Sequence, residues 1–241
     1  MPLFSGGLSY PFYCGYLQQG MSQPMVDNQD RFGIEIDNTQ GRVQGYSKDC
    51  QHPTELQFYV IDATNQISLY QGEVLDQGDW LVRLEIGTIN RYYYYILMPV
   101  TPEEVDGRST ASLWNKELIY QFLGGAGIGF RQGSINIDSL ITGRLAELQQ
   151  GMAVISSSVN RTSHTYHFLL AEDTARRVKR QFISLYGQPD FTMGIGGSGG
   201  AIAQYLLAQN APGLLDGAIA QYSYPDMQSQ ALTSLDCNLF H

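Results

Sequence analysis

The sequence predicts an α/β fold in which a β-rich N-terminal region precedes a parallel sheet covered by helices. Apolar, strand-like runs alternate with helical segments after about residue 105, whereas short alternating runs separated by turn residues occur before it. With 241 residues, 43% of them hydrophobic, the chain can bury a substantial core. We therefore divide it into a β-rich region, residues 1–105, and an α/β core, residues 106–241, with a soft boundary at residues 102–108.

The N-terminal region contains runs that are typical of antiparallel strands with one face in water. They cover residues 32–36, 56–61, 67–70 and 80–89. Asp and Asn side chains between these runs can bond to their own backbone and tolerate tight bends. This pattern indicates a meandering sheet.

The second half repeats strand and helix in alternation. We predict strands at residues 118–123, 152–156, 191–195 and 217–222, and helices at residues 139–150, at about 165–186 and at 199–210. Strands joined in this way need crossover connections, and crossovers produce parallel strands. The carboxyl ends of such strands share one edge of the sheet, where sites in these folds gather.

Composition argues against several classes of partner. With 14 Lys and Arg against 23 Asp and Glu, the net charge is −9, which disfavours binding to the phosphate backbone of a nucleic acid. No apolar run reaches the roughly 18 to 20 residues needed to cross a bilayer, so we expect no membrane partner. The first residues show no basic segment leading into an apolar stretch, and hence no visible secretory signal.

The cysteines leave two alternatives open. Cys14, Cys50 and Cys237 are too few and too scattered for a disulfide scaffold or a thiolate metal site. A bridge between Cys14 and Cys50 is one alternative, but buried free thiols are the more frequent outcome and are what we expect. The Asp and Glu residues show no metal-ligand spacing with histidine, so we predict no metal and no cofactor.

One segment carries a chemical signature. The sequence Gly196-Gly197-Ser198-Gly199-Gly200 fits the pattern G-x-S-x-G and lies between a predicted strand and a predicted helix. On such a turn the serine is held in a strained conformation that exposes its hydroxyl, and glycines two residues away avoid collisions. The following helix directs its first amides and its dipole toward that hydroxyl. We predict Ser198 as a catalytic nucleophile.

Two other interpretations of this turn remain. A strand, a glycine-rich turn and a helix also hold nucleotides, and Gly194, Gly196 and Gly199 satisfy G-x-G-x-x-G. The next predicted strand, however, does not end in the Asp or Glu that would bind a ribose, and the Lys and Ser or Thr of a P-loop are absent. The glycines could also serve the turn alone.

A second glycine cluster follows the predicted strand at residues 118–123. Hydrolases with a serine elbow stabilise the oxyanion with the amide after the serine and with an amide from a loop after an earlier strand. The candidates here are Gly199 for the first donor and Gly125 or Ala126 for the second. The alternative is a tight surface turn without a catalytic role.

Several of these segments resemble the tannase and feruloyl esterase family of α/β-hydrolases. The resemblance rests on the elbow at residues 196–200, on Pro212-Gly213-Leu214-Leu215-Asp216-Gly217 after the following helix, and on the entry to the glycine cluster at residues 114–118. It covers most of the chain. It implies an α/β-hydrolase-type sheet, a small-molecule ester substrate and, if a leader is missing, secretion or export to the periplasm.

The chain also departs from this family. The family commonly has a cysteine directly before the nucleophile, whereas this chain has Gly197. In the family, the Asp and then the His of the triad follow the serine at a distance, but only 43 residues follow Ser198. We therefore expect a C-terminally truncated, incomplete hydrolase core that shows little or no esterase turnover alone.

The histidines within the sequence do not supply an obvious base. His164 and His167 follow the strand at residues 152–156 and could reach a site at the carboxyl edge of the sheet. We expect them to begin a helix or to line a pocket, because the family base comes from downstream. His52 has the pattern of a loop residue, and His241 is too close to Asp236 for the usual acid and base loops.

Two hypotheses about function result. The first is a serine hydrolase of carboxylic esters in which Ser198 attacks the carbonyl and the backbone amides stabilise the oxyanion. The second is a catalytically incomplete hydrolase-fold fragment that acts as a binding or assembly module. The sequence contains no indication of the oligomeric state or of the acyl and alcohol groups.

Two further patterns have structural interpretations. In the run Tyr92-Tyr93-Tyr94-Tyr95, alternate residues of a strand face opposite sides, so we expect two core and two surface rings. The basic group at residues 176–180 is expected to be a solvated helix face.

Overall fold

The computed structural model describes residues 7–125, 131–165, 167–223 and 226. In chain order its elements are α1 (Tyr16–Gln19), β1 (Ile34–Asp37), β2 (Val43–Ser47), β3 (Glu55–Ile61), β4 (Ile67–Leu69), β5 (Trp80–Ile89), β6 (Tyr92–Val100), β7 (Glu117–Leu123), α2 (Ile137–Thr142), α3 (Leu145–Gln149), β8 (Ala153–Arg161), α4 (Phe168–Tyr186), β9 (Phe191–Gly197), α5 (Gly199–Asn210) and β10 (Gly217–Gln221). A 3₁₀ turn, Pro102–Glu104, follows β6.

Eight strands form one mixed sheet in the order β10-β9-β7-β8-β6-β5-β3-β4. Strands β8, β7, β9 and β10 are parallel, and β6 pairs antiparallel with β8. The predicted α/β architecture, in which a β-rich N-terminal region precedes parallel strands joined by helices, is therefore confirmed. The β6–β8 pairing joins strands from both sides of residue 105 in a single sheet, and the division into 1–105 and 106–241 stays a prediction.

Most predicted elements are present, with shifted ends. The helix predicted at residues 139–150 is two short helices, α2 and α3, which are interrupted at Gly143 and Arg144. Helix α4 begins at Phe168, three residues later than expected, and His167 caps it. Strand β2, which pairs with β1 outside the main sheet, was not predicted.

The core lies on both faces of the sheet. One apolar cluster packs under α4 and α5 and includes Tyr94 and Phe182, and a second cluster on the opposite face includes Tyr93 and Tyr95. The expectation of two exposed tyrosines is wrong, because all four rings of the run starting at Tyr92 are at most 2% exposed. Strand β6 lies between β5 and β8 and has side chains covering both of its faces.

Two other expectations are corrected. Cys14 and Cys50 form a disulfide with a Cα–Cα distance of 5.3 Å, so the expectation of free thiols is wrong for this pair, while Cys237 lies outside the described residues. Lys179 is not solvated: it is buried, and its Nζ donates to the carbonyl oxygens of Gly213 and Leu214 at 3.2 and 2.8 Å. These bonds join α4 to the loop that enters β10.

Candidate functional site

Ser198 occupies the turn between β9 and α5. Its backbone angles, φ 56° and ψ −123°, fall in a left-handed region that side chains rarely adopt, and such conformations cost of order 1–3 kcal/mol. The Ser198 amide donates to the Gln221 carbonyl at 3.0 Å, and the Ser198 carbonyl accepts the Ala201 amide at 2.9 Å, so β10 and α5 both hold the turn. The residue is half-buried. This is the backbone geometry expected at a strand-to-helix elbow.

The glycines two residues either side of Ser198 are required by close packing. A methyl group on Gly196 would lie 2.5 Å from the Phe122 carbonyl oxygen, and one on Gly200 would lie 3.1 Å from the same oxygen. The elbow therefore lies directly against the backbone of β7. A side chain at Gly196 would push β9 away from β7, and one at Gly200 would require the Phe122 backbone to shift by a few tenths of an ångström.

A buried glutamine holds the elbow from inside. The side-chain amide of Gln204, which is fully buried on α5, donates to the carbonyl oxygens of Gly196 and Gly200, each at 3.0 Å. These two bonds connect the end of β9 to the first turn of α5 across Ser198. They oppose relaxation of the strained turn.

The glycine turn after β7 meets this elbow. A methyl group on Gly124 would lie 3.0 Å from Ser198 Cβ and 3.2 Å from the Gly199 nitrogen, so Gly124 is in direct proximity to the candidate nucleophile. Gly125 has φ 121°, which favours glycine. Ala126, the other candidate donor, lies outside the described residues.

Thr162 connects the two candidate oxyanion donors. Its hydroxyl donates to the Gly125 carbonyl at 2.6 Å, and its amide donates to the Leu123 carbonyl at 3.3 Å. A methyl group on Gly199 would lie 1.8 Å from Thr162 Oγ1, so the threonine side chain lies against the first residue of α5. Thr162 thus fixes the spacing between Gly125 and Gly199.

The amides of these two glycines are the candidate oxyanion donors. In the part of the chain that the structure describes, neither the Gly199 nor the Gly125 amide donates a hydrogen bond. Gly199 is also the first residue of a 12-residue helix, whose dipole favours negative charge at this end. The arrangement could stabilise an oxyanion that forms on a carbonyl bonded to Ser198.

The two histidines near β8 are not equivalent. His164 is buried, and its Nδ1 donates to the Ser158 carbonyl at 2.8 Å. Burial, together with smaller contributions from the guanidinium groups of Arg161 and Arg131, lowers the pKa of His164 to about 4, so the ring is neutral at pH 7. His167 is exposed, and its Nδ1 accepts the Leu170 amide at 3.2 Å as the cap of α4.

Two clefts adjoin the glycine turn. The first, of about 440 Å³, is lined by Gly124 and by apolar side chains, and the second, of about 450 Å³, contains His164 and Ser163. Gly124 itself lines the first cleft, whereas the second cleft borders the glycine turn through Ser163, whose Cβ would lie 2.7 Å from a methyl group on Gly125. Arg161, at the carboxyl end of β8, lines both of them.

Among the residues that the structure describes, no group of three or more His, Cys, Asp or Glu side chains is arranged to hold a metal ion. In the same part of the chain, no helix has both the length and the apolar character needed to span a bilayer.

Sequence reasoning missed several residues around this site. Thr162, Gln204, Arg144 and Arg161 belong to none of the motifs considered above. For Thr162 and Arg161 a signal existed, because both follow or end a strand whose carboxyl edge was expected to carry the site. For Gln204 and Arg144 we find no sequence signal, since their roles depend on which backbone oxygens and clefts lie opposite.

The comparisons with known proteins give a family and a distant likeness. The profile of a family described as a tannase-like family of unknown function matches residues 1–241. The chain matches none of the curated proteins with which it was compared.

Two solved esterase structures match the chain at low similarity. The juvenile hormone esterase from Manduca sexta, with OTFP covalently attached, is 16% identical at a TM-score of 0.38; the match covers 83% of this chain and 30% of that one. A variant of the rice cell wall degrading esterase LipA from Xanthomonas oryzae is 12% identical at a TM-score of 0.38, covering 72% of this chain and 49% of that one. This chain thus spans less than half of either protein, and at these scores neither carries an argument about its chemistry.

Proposed function

The chain belongs to the tannase-like family of unknown function, and from that premise we propose that it is a serine hydrolase of carboxylic esters with Ser198 as its nucleophile. The observation that carries the proposal is the left-handed backbone at Ser198, which lies between β9 and α5 and beside Gly124. A non-glycine residue in this conformation is retained at a cost, and such strain clusters at functional sites.

The proposed reaction has two steps. The Ser198 oxygen attacks the ester carbonyl and transfers its proton to a general base, and the carbonyl oxygen becomes an oxyanion between the amides of Gly199 and Gly125. The intermediate collapses, the bond from carbon to the alcohol oxygen breaks, and the alcohol leaves with the proton. A water molecule then attacks the acyl-serine, which releases the acid and restores the hydroxyl.

Among the histidines that the structure describes, His164 best meets the requirements for the general base. It lines a cleft that reaches the glycine turn, and its Nδ1 bond to the Ser158 carbonyl orients the ring and leaves Nε2 as the proton acceptor. In the resemblance stated above, the base instead comes from downstream of the elbow. Replacement of His164 separates these two sources.

Covalent labelling tests the nucleophile without depending on turnover. We expect a fluorophosphonate probe to label the intact protein on Ser198, and we expect Ser198→Ala to abolish the labelling. Ser184→Ala is the matched control, because Ser184 is an exposed serine on α4 whose hydroxyl donates to the Gln181 carbonyl at 2.7 Å. Labelling that persists in Ser198→Ala contradicts Ser198 as the nucleophile, and absence of labelling from a folded wild-type protein contradicts the proposal and favours a binding or assembly module.

Turnover of 4-nitrophenyl butyrate then tests the base. If His164 is the base, His164→Ala abolishes hydrolysis as completely as Ser198→Ala does. If hydrolysis survives in His164→Ala, the base comes from another part of the protein.

A further inference from the structure

The two clefts beside the glycine turn are both lined by positively charged side chains. Three arginines line them: Arg144 in the first cleft, Arg131 in the second and Arg161 in both. No Asp or Glu is among the described residues that line either cleft. This is notable in a chain whose formal net charge is −9.

Two of these arginines have no carboxylate partner. In the described part of the chain, Arg161 donates to the Ser134 carbonyl at 3.4 Å and Arg131 donates to the Ser163 carbonyl at 3.3 Å, and neither forms an ion pair. Arg144 is different, because Glu147 pairs with it at 2.9 Å. The guanidinium groups of Arg131 and Arg161 therefore keep donors free for a bound anion.

The first cleft combines this charge with an apolar wall. Leu123, Ile135 and Leu140 line it together with Arg161 and Arg144. An apolar body could pack against the aliphatic side chains while a carboxylate bonds to a guanidinium group. Neutral His164 adds no positive charge near pH 7.

We propose that the clefts select esters that carry a free carboxylate on an apolar body, with Arg161 as the residue that recognises the anion. That the ligand is an ester rests on the proposed function, whereas the anion site itself rests on the arginines. A guanidinium group binds a carboxylate through charge-assisted hydrogen bonds, which correspond to roughly a tenfold to hundredfold difference in affinity.

Binding to the Ser198→Ala protein tests this without hydrolysis. The probes are two pairs that differ in charge: monomethyl succinate against dimethyl succinate, and 4-acetoxybenzoate against 4-acetoxybenzamide. They place the carboxylate on the acyl side and on the alcohol side of the ester. We expect the charged member of at least one pair to bind about tenfold more tightly in calorimetric or NMR titrations, and we expect added salt to weaken that preference.

The matched variants are Arg161→Gln and Arg180→Gln in the same background. Arg180 is an exposed arginine on α4 that lines neither cleft, so its loss changes the net charge equally. Arg161→Gln should remove the preference, Arg161→Lys should retain part of it, and Arg180→Gln should leave it unchanged. Circular dichroism verifies that each variant is folded.

Equal binding of charged and neutral probes overturns the proposal, as does a preference that survives Arg161→Gln or is lost equally in Arg180→Gln. The two proposals fail separately. If the wild-type protein is not labelled by the phosphonate but the preference for the charged probe is observed, the proposed hydrolase function is refuted and an anion-binding cleft remains. Labelling with no preference refutes the anion selectivity alone.

Discussion

The disulfide between Cys14 and Cys50 permits a stability prediction that does not depend on any activity. The bond links residues separated by 36 positions, and Cys50 is completely buried. In the chain-entropy description, a loop of this length restricts the unfolded chain by an amount equivalent to about 4 kcal/mol at 25 °C. Since domains of this kind are stable by roughly 5–15 kcal/mol, the bond contributes a substantial share.

The change to make is the double substitution of Cys14 and Cys50 by alanine, which adds no buried hydroxyl group. Urea unfolding at 25 °C, followed by circular dichroism, should show a free energy of unfolding about 4 kcal/mol lower than in the wild type. Dithiothreitol should lower the wild type to a similar value and should leave the double variant unaffected, which makes the reductant an internal control.

Equal urea midpoints for the oxidised wild type and the double variant would refute this reasoning. If dithiothreitol also lowered the free energy of unfolding of the double variant, the reasoning would be contradicted, because the reductant would then act on something other than the Cys14–Cys50 bond. The segment that carries Cys14 has a second anchor, since Gly15 donates to the buried Gln132 side chain at 2.9 Å. We therefore expect the double variant to retain its fold in the absence of urea.

Three further predictions concern pH and the elbow. Burial lowers the pKa of both His52 and His164 from 6.5 to about 4, so the unfolded chain binds more protons than the folded chain between these pH values. The free energy of unfolding should therefore fall as the pH drops from 6.5 to 4, by at most about 3 kcal/mol per histidine. His52→Phe should remove part of this pH dependence in urea titrations repeated across the pH range. Gly124→Ala should abolish phosphonate labelling, because the methyl group of the alanine would contact the elbow backbone. Circular dichroism should show that the variant is still folded. Undiminished labelling would show that the glycine turn is not beside the nucleophile. Thr162→Val should slow labelling about tenfold or more because the hydrogen bond to the Gly125 carbonyl is lost. Thr162→Ser, which keeps the hydroxyl, should be labelled almost as fast as the wild type. Equal labelling rates for Thr162→Val and the wild type would show that Thr162 has no part in the site.

Redox conditions affect how these experiments are interpreted. Disulfides persist mainly in oxidising surroundings and are lost in reducing ones, so the Cys14–Cys50 bond depends on how the protein is prepared. Preparation of the protein under oxidising conditions is therefore part of each test.

Local pattern predicted the elbow because its chemistry is contained in five consecutive residues. The strand, the G-x-S-x-G pattern and the helix follow one another directly in the sequence, so the turn at Ser198 could be predicted locally, whereas the close packing of Gly196 and Gly200 involves the backbone of β7. Strand positions in the second half were predicted equally well, since apolar runs between turns report local burial.

The tertiary structure decided which distant residues share that elbow. The roles of Thr162, Gln204 and Arg161 depend on the order β9-β7-β8, which brings the carboxyl ends of three strands together, and strand order is not encoded in any one segment. The burial of all four tyrosines of β6 has the same origin: a strand between two others has both faces covered, whatever its own pattern suggests. The sequence alone determined the strained turn at Ser198, while packing determined which side chains form the walls of the candidate site, because contacts between segments far apart in the chain exist only after folding.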